Sequence, residues 1–346
     1  MSSFWHHVRT QWLSISLVLG VVWILAVRVY YWIKPSLPEA VRLKMRRWWA
    51  HRTRERCNGE WPILESAGVA PAGWKGWPEA RQKFALVLTH DVEGERGLQR
   101  VKQLAELEMS MGFRSAFNFI PEGPYRVPKD LRDWLVERGF EVGVHDHRHD
   151  GHLYRSRAHF MASAKRINLY LKEWNAVGFR SGFMFHNLKW IHDLDISYDA
   201  STFDTDPFEP QHDRAGTIFP FWVNGNNGDG YMELPYTLVQ DSTLFVMLGE
   251  KSCDVWKRKV DWIASRGGMV LLNVHPDYVA LDGEEPEIGE FPVEYYKDFL
   301  DWVNQTYREQ YWQSLPREVA DFCRKRFHGV LAGIAAFNSA DLLIAI

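Results

Sequence analysis

The sequence predicts an α/β chain built on a parallel sheet. Short apolar runs alternate with longer helix-like stretches, and polar residues able to do chemistry stand at the ends of the runs. The first run, Phe84 to Leu88, is followed by a helix-like stretch from Leu98 to Met111. A strand at Ser115 to Ile120, a helix at Pro128 to Arg138 and a strand at Glu141 to His145 come next. The alternation resumes with a helix around Ala158 to Trp174 and a strand at Val177 to Arg180. It closes with a helix at Asp254 to Arg266, a strand at Gly268 to Val274 and a helix at Val293 to Gln310. Such βα units build either a parallel barrel or a doubly wound sheet, and in both the functional residues gather at the carboxyl ends of the strands. The glycine-rich stretch Trp222 to Tyr231 reads as a hairpin or an excursion loop and matches no nucleotide-binding motif.

Composition narrows the function classes. With 346 residues the chain suits one large catalytic domain plus an appendage. Its 46% hydrophobic and 25% charged content is that of an ordinary globular protein, neither disordered nor multiply membrane-spanning. A net charge of -3 argues against a general nucleic-acid binder. The 17 tryptophans suit sugar stacking, core packing or membrane-interface anchoring, and composition does not choose among the three. Cys57, Cys253 and Cys323 are odd in number and far apart, so no disulfide framework or zinc ribbon is read from them.

The N-terminal region has its own character. No charge interrupts Trp12 to Val27, and with Arg28 snorkelling the apolar stretch runs to Ile33, so residues 1–34 form a candidate single membrane span. A buried or interfacial helix is the alternative. No small-residue cleavage signal follows. Eight Lys or Arg lie between Lys34 and Arg56, which places the following domain on the cytoplasmic side; the same segment, with Trp48 and Trp49, also suits a basic helix lying on anionic headgroups. Residues 35–80 form a connecting segment, and its part from Trp61 to Ala80 reads as a linker or an ordered wrapping loop. The catalytic domain is expected over residues 81–327. The apolar tail 328–346 carries Asn338, Ser339 and Asp341, a poor bilayer span without an assigned role.

The chemistry is concentrated in four places. EVGVHDHRHDGH holds His145, His147, His149 and His152 directly after a strand-like run. In an extended chain residues four apart lie about 13 Å from one another, too far to share an ion. His145 and His149 therefore pair only if the strand ends at His145 and the chain curls, which Asp146 and Gly151 make easy. LVLTHDVEGE ends the first strand with Asp91 and Glu93, whose side chains point the same way, so that one can bind a metal while the other takes a proton; Asp91 as a simple helix cap is the plainer alternative. Arg180 in GFRSG offers a permanently charged donor fork, and His275 in LLNVHPDY follows a buried strand.

Taken in order, THDVE, HDHRH, GFR and LNVH resemble the successive motifs of the polysaccharide deacetylase family, carbohydrate esterase family four. The resemblance covers roughly Lys83 to the early 280s. It implies a distorted parallel (β/α) barrel and removal of N-acetyl groups from a polysaccharide or glycan precursor. It also implies His145 and His149 as metal ligands, Asp91 as general base, Arg180 as the tether of that base and His275 as general acid. YDASTFDTDPFEP and WQSLPREVA are similar to deacetylase-like proteins associated with exopolysaccharide assembly, which makes assembly proteins candidate partners.

Three departures from the family pattern stand out. Val92 takes the place of the second of two adjacent aspartates, and by similarity to the D-V-D/E subset Glu93 becomes the third ligand. Ser181 and Gly182 replace the usual proline-containing sequence after the arginine. No clear tryptophan-bearing fourth motif is present, and Asp199 and Phe203 are the nearest candidates for the substrate wall. Ligand type favours zinc, with cobalt or nickel able to fill the same site. The rivals are a non-catalytic sugar-binding module in polysaccharide assembly and a hydrolase of another non-peptide carbon-nitrogen bond. An HD-type phosphohydrolase is disfavoured, because that family is all-helical.

Overall fold

A computed structural model describes residues 38–331, apart from 58, 212 and 226–228. The candidate span, residues 1–34, and nearly all of the apolar tail lie outside the described residues. Among those described, no helix is long and apolar enough to cross a membrane. The chain divides into two units, Met1–Trp49 and Ala50–Ile346. Helix α1, Glu39–Arg56, begins in the first.

In the larger unit strands and helices alternate as expected: β1 (Phe84–Val92), α2 (Glu95–Ser110), β2 (Ala116–Phe119), α3 (Lys129–Glu137), β3 (Glu141–His145), α4 (Arg157–Trp174), β4 (Gly178–Arg180), α5 (Leu188–Ile191) and β5 (Tyr198–Asp199). The antiparallel pair β6 (Phe221–Asn224) and β7 (Gly230–Glu233) makes the glycine-rich stretch a hairpin. Then follow α6 (Asp254–Arg266), β8 (Met269–Asn273), β9 (Val279–Ala280), β10 (Phe291–Pro292), α7 (Glu294–Thr306), β11 (Tyr311–Gln313) and α8 (Pro316–Leu331).

β1 is the hub, parallel to β2 and β11 along one edge and to β8 along the other, and all nine of its residues are buried. A strand covered on both faces must be apolar nearly throughout, as Phe84 to Leu88 is; the polar residues come only at its carboxyl end. From β2 the sheet continues in parallel through β3, β4, β5 and β7. The circuit then returns to β8, because Thr237 and Leu238, just past β7, both donate backbone N–H groups to the Leu271 carbonyl. The parallel sheet thus curls toward a barrel. Doubly wound order, the other arrangement open to the sequence, is not found among the described residues.

Local signals set the helix ends. Ser156 Oγ accepts the His159 N–H to start α4, and Asn175 in the left-handed region ends it. Gly267, at φ +78°, ends α6. The Trp61 to Ala80 stretch wraps the larger unit instead of hanging free. Trp77 is buried in the core with Ala85, Val87 and Leu271, its indole N–H bonded to the carbonyls of Gly267 and Gly268. Part of the buried core therefore lies before residue 81.

Candidate active site

Strand register assembles the site. Asp91 lies opposite Asn118 on β2, Thr89 opposite Asn273 on β8, and His145 opposite Arg180 on β4. Residues far apart in sequence thus meet at one end of the sheet, the carboxyl end where parallel α/β folds carry their chemistry.

Asp91 is buried and held on three sides. Asn118 donates to its Oδ1 at 2.9 Å, Asn273 to its Oδ2 at 2.9 Å, and the guanidinium of fully buried Arg180 reaches Oδ2 at 3.4 Å. Burial alone would raise the carboxyl pKa. Arg180, then the neighbouring His145 and His275 and the Asn118 hydrogen bond, outweigh it and hold the group well below the usual carboxylate range. It is a charged acceptor at neutral pH.

After His145 the chain curls as the spacing requires. Asp146 and His149 adopt left-handed backbone at φ +59° and +55°, with Gly151 at +77°. Asp146 holds this curl by accepting the N–H groups of His147 and Gly182. Gly182 is needed in that place, because a Cβ there would stand 2.5 Å from Asp146 Oδ2 and 2.7 Å from the His149 ring. The replacement of proline after Arg180 is thereby explained. Phe183 stacks on the outer face of His149, ring centroids 4.5 Å apart. Of the other histidines, His147 faces Glu122 at 3.1 Å and His152 sits at the surface beside Asp150.

His145, His149 and Glu93 converge. One ligand atom from each lies within 4.8 Å of the others. The Nδ1 of His145 bonds the Arg180 carbonyl at 3.1 Å, which fixes the proton there and leaves Nε2 with its lone pair. His145 Nε2 is buried without a hydrogen-bond partner, and buried His149 Nε2 meets only the Glu93 carboxylate, at 3.3 Å. Burial holds the His145 pKa below its ordinary value, so that its ring is neutral. His149 differs: burial lowers its pKa, but the Glu93 carboxylate raises it further, so a proton or a metal cation answers the same negative charge. Orphaned imidazole nitrogens facing a carboxylate are the donor set of a divalent metal, and these residues fit one.

His275 completes the opposite side. Its Nδ1 lies 2.6 Å from Asp241 Oδ1, its own N–H donates to Asp241 Oδ2 at 2.8 Å, and its Nε2 is 3.9 Å from Glu93 Oε1. Burial disfavours the charged ring, yet Asp241 overrides it and pushes the pKa up to about 10. The imidazolium is thus the resting form.

The six residues expected at the centre, Asp91, Glu93, His145, His149, Arg180 and His275, are therefore brought together. Asp199 and Phe203 are not part of that surface. Both are fully buried; Phe203 packs in the core with Tyr236, and Asp199 accepts the Ser201 hydroxyl below the site. The expectation that they line a substrate wall is corrected, since a side chain with no exposure offers nothing to a glycan. Sequence reading missed Asp241, Asn118 and Asn273. Asp241 precedes a π-helical turn, Ser242–Met247, where no periodicity marks it. The two asparagines stand at strand ends and are recognisable only through register.

No protein-family model matches the chain, and no curated protein sequence does. Solved structures do. One from Mycobacterium smegmatis, described provisionally as a polysaccharide deacetylase, matches with a TM-score of 0.58 at 16% identity, covering 75% of this chain and 96% of its own. The chain has the polysaccharide deacetylase fold. Weaker matches are a peptidoglycan deacetylase from Bacillus subtilis (TM-score 0.40, 10% identity, covering 72% of this chain and 95% of its own) and a family-four pseudoenzyme from Bacillus anthracis (0.43, 13%, 69% and 66%). The polysaccharide deacetylase fold thus accounts for the curled sheet, while the residues at its mouth must be argued from their own geometry.

Proposed function

We propose that this chain is a metal-dependent hydrolase that removes N-acetyl groups from a polysaccharide or glycan precursor. The observation that carries the proposal is the meeting of Glu93 with two buried imidazole nitrogens, neither of which has any other partner, between a charged Asp91 and a protonated His275. His145, His149 and Glu93 would hold the ion. When bound, a divalent metal polarises an amide carbonyl and acidifies water, and the two-nitrogen, one-oxygen donor set favours zinc over cobalt or nickel.

The protein residues supply the proton transfers. Asp91, ionised and fixed by Arg180, Asn118 and Asn273, accepts a proton from the attacking water. His275, its Nδ1 tied to Asp241, presents Nε2 as the proton donor to the departing amine. Acetate and a free amino sugar result. Base and acid hold opposite protonation states at neutral pH because Asp91 has cationic neighbours and His275 an anionic one. The same arrangement serves hydrolysis of other carbon-nitrogen bonds, so the acetylated glycan rests on the fold and the family-like motifs.

Metal analysis of the purified protein, with acetate release from a panel of N-acetylated glycans, tests the reading. His145→Ala and His149→Ala should lose metal and activity together, while Glu93→Gln should weaken metal binding before it affects chemistry. Full metal occupancy in both histidine variants would reject the site. A wild-type chain that binds sugar but neither holds metal nor releases acetate would support the non-catalytic sugar-binding alternative. For location, we propose association with a membrane through residues 1–34, with the domain on the cytoplasmic side, on the strength of the eight basic residues from Lys34 to Arg56. A reporter fused after Arg326 and active only outside the cell should stay silent. The proposed exopolysaccharide assembly partners rest on the motif resemblance.

A further inference from the structure

Glu93 stands where its reach must be controlled. It follows Asp91 by two residues, just past the end of β1, it is only half-buried, and its side chain is long enough to take several rotamers. Its two oxygens are nonetheless divided. Oε2 accepts the Tyr278 hydroxyl at 2.8 Å, whereas Oε1 faces His149 Nε2 at 3.3 Å and His275 Nε2 at 3.9 Å. The backbone is anchored from the same turn. Asp277 Oδ2 accepts the Glu93 N–H at 2.8 Å, and its Oδ1 accepts the Gly97 N–H at 3.2 Å, capping the first turn of α2. Glycines at 94 and 97 make room for this carboxylate, since a Cβ would come within 2.9 Å of it at Gly94 and 2.1 Å at Gly97.

We infer that Tyr278 is a positioning residue for the acidic metal ligand, acting with Asp277 to leave a single Glu93 oxygen facing the two histidines. The inference rests on the metal reading above and deepens it. The turn His275-Pro276-Asp277-Tyr278 then does two things: it supplies the proton donor, and it fixes the ligand that takes the place of an aspartate next to Asp91. A glutamate one position farther along the chain needs such an anchor, because an unrestrained carboxylate pays rotamer entropy on binding and can offer both oxygens. The Tyr278 ring also lies 5.3 Å from the His275 ring. Tyr278→Phe keeps that ring and removes only the hydroxyl.

The test is zinc affinity of the full chain, measured on metal-stripped protein by competition with a chromogenic chelator, beside the unfolding midpoint of the metal-free form. Tyr278→Phe should weaken zinc binding roughly 10- to 100-fold, the usual effect of losing a hydrogen bond to a ligand, with the metal-free midpoint unchanged. Adding Tyr278→Phe to Glu93→Gln should cost little more than Glu93→Gln alone, because the hydroxyl acts through that carboxylate. Gly97→Ala, which displaces Asp277, should weaken zinc in the same direction. If Glu93→Gln weakens zinc while Tyr278→Phe binds it like the wild type, the inference is overturned and the metal site stands. A wild-type chain that binds no zinc, cobalt or nickel overturns the inference and the metal reading together.

Discussion

Two pairs of acids close strand ends of one sheet and carry opposite charge states. At β1, Asp91 and Glu93 face Arg180, His145, His149 and His275, and both pKa values are held below the usual carboxylate range despite burial. At β5 and β7, Asp199 lies opposite Glu233 in register, fully buried. Burial, then the Asp199 carboxylate beside it, drives the Glu233 pKa well up, and burial raises that of Asp199 too. Glu233 accepts the N–H and hydroxyl of Thr202, and Asp199 the hydroxyl of Ser201. Burial beside another carboxylate keeps Glu233 protonated, and this second pair serves as part of the scaffold. The position of an acid at a strand end is therefore not what makes it chemical. The charges brought to it from other strands are.

The sharpest way to break this contrast is to remove one charge from each pair. Asp91→Asn should retain metal and lose roughly 10²- to 10⁴-fold in kcat, the range for removal of a general base. Asp199→Asn should change kcat by no more than a few fold and should raise stability above neutral pH, because it dissolves a buried carboxylate pair. Comparable rate losses in the two variants would show that both pairs belong to the reaction and that the contrast is wrong.

The same contrast explains what the sequence revealed. His145 and His149 were legible because their spacing admits only a curled chain if they are to meet, and the left-handed backbone at Asp146 and His149 supplies the curl. α6 was legible to the residue, since Asp254 opens it and Gly267 closes it. β5, β9, β10 and β11 have two or three residues each, too few to show a period. Asp199 was misread because a strand-end rule cannot distinguish a carboxyl end open to the mouth from one covered by Ser201, Thr202 and Glu233. Asp241 carried no local signal, since its role comes from a contact 34 residues away.

A smaller effect probes how an anion sets the acid. Asp241→Asn removes the strongest of the charges that keep His275 protonated up to about pH 10 and leaves only Glu93 and Asp91 to oppose burial, so the ring's pKa falls. The alkaline limb of the kcat/KM profile should move to lower pH, with a loss of roughly 10²-fold at neutral pH that shrinks on acidification. An unmoved alkaline limb would show that another group donates the proton.

The smallest expected effect lies behind the site, where a third acid pair tests whether proton sharing is a scaffold property. The Tyr236 hydroxyl lies 2.8 Å from Asp206 Oδ2 and 2.7 Å from Glu209 Oε1, and Gln240 links Glu209 onward to Asn273. One phenolic proton cannot serve both carboxylates, so one acid supplies its own. Burial is the first cause, and it raises Asp206 to about 6; burial and then Asp206 raise Glu209 to about 7. A folded-state pKa above the unfolded value means that the folded state binds protons more tightly. The resulting stability is complete below the unfolded carboxylate range and is lost as pH rises through about 6 to 7. Glu209→Gln keeps an acceptor for Tyr236 and Gln240 without this titration. Its unfolding free energy should therefore fall less than that of the wild type between pH 5 and 8, a difference on the order of 1–3 kcal/mol. Parallel stability curves for the two proteins across that window would show that the acids around Tyr236 hold no extra proton, and that the raised carboxyl of Glu233 is not a general property of the buried acids.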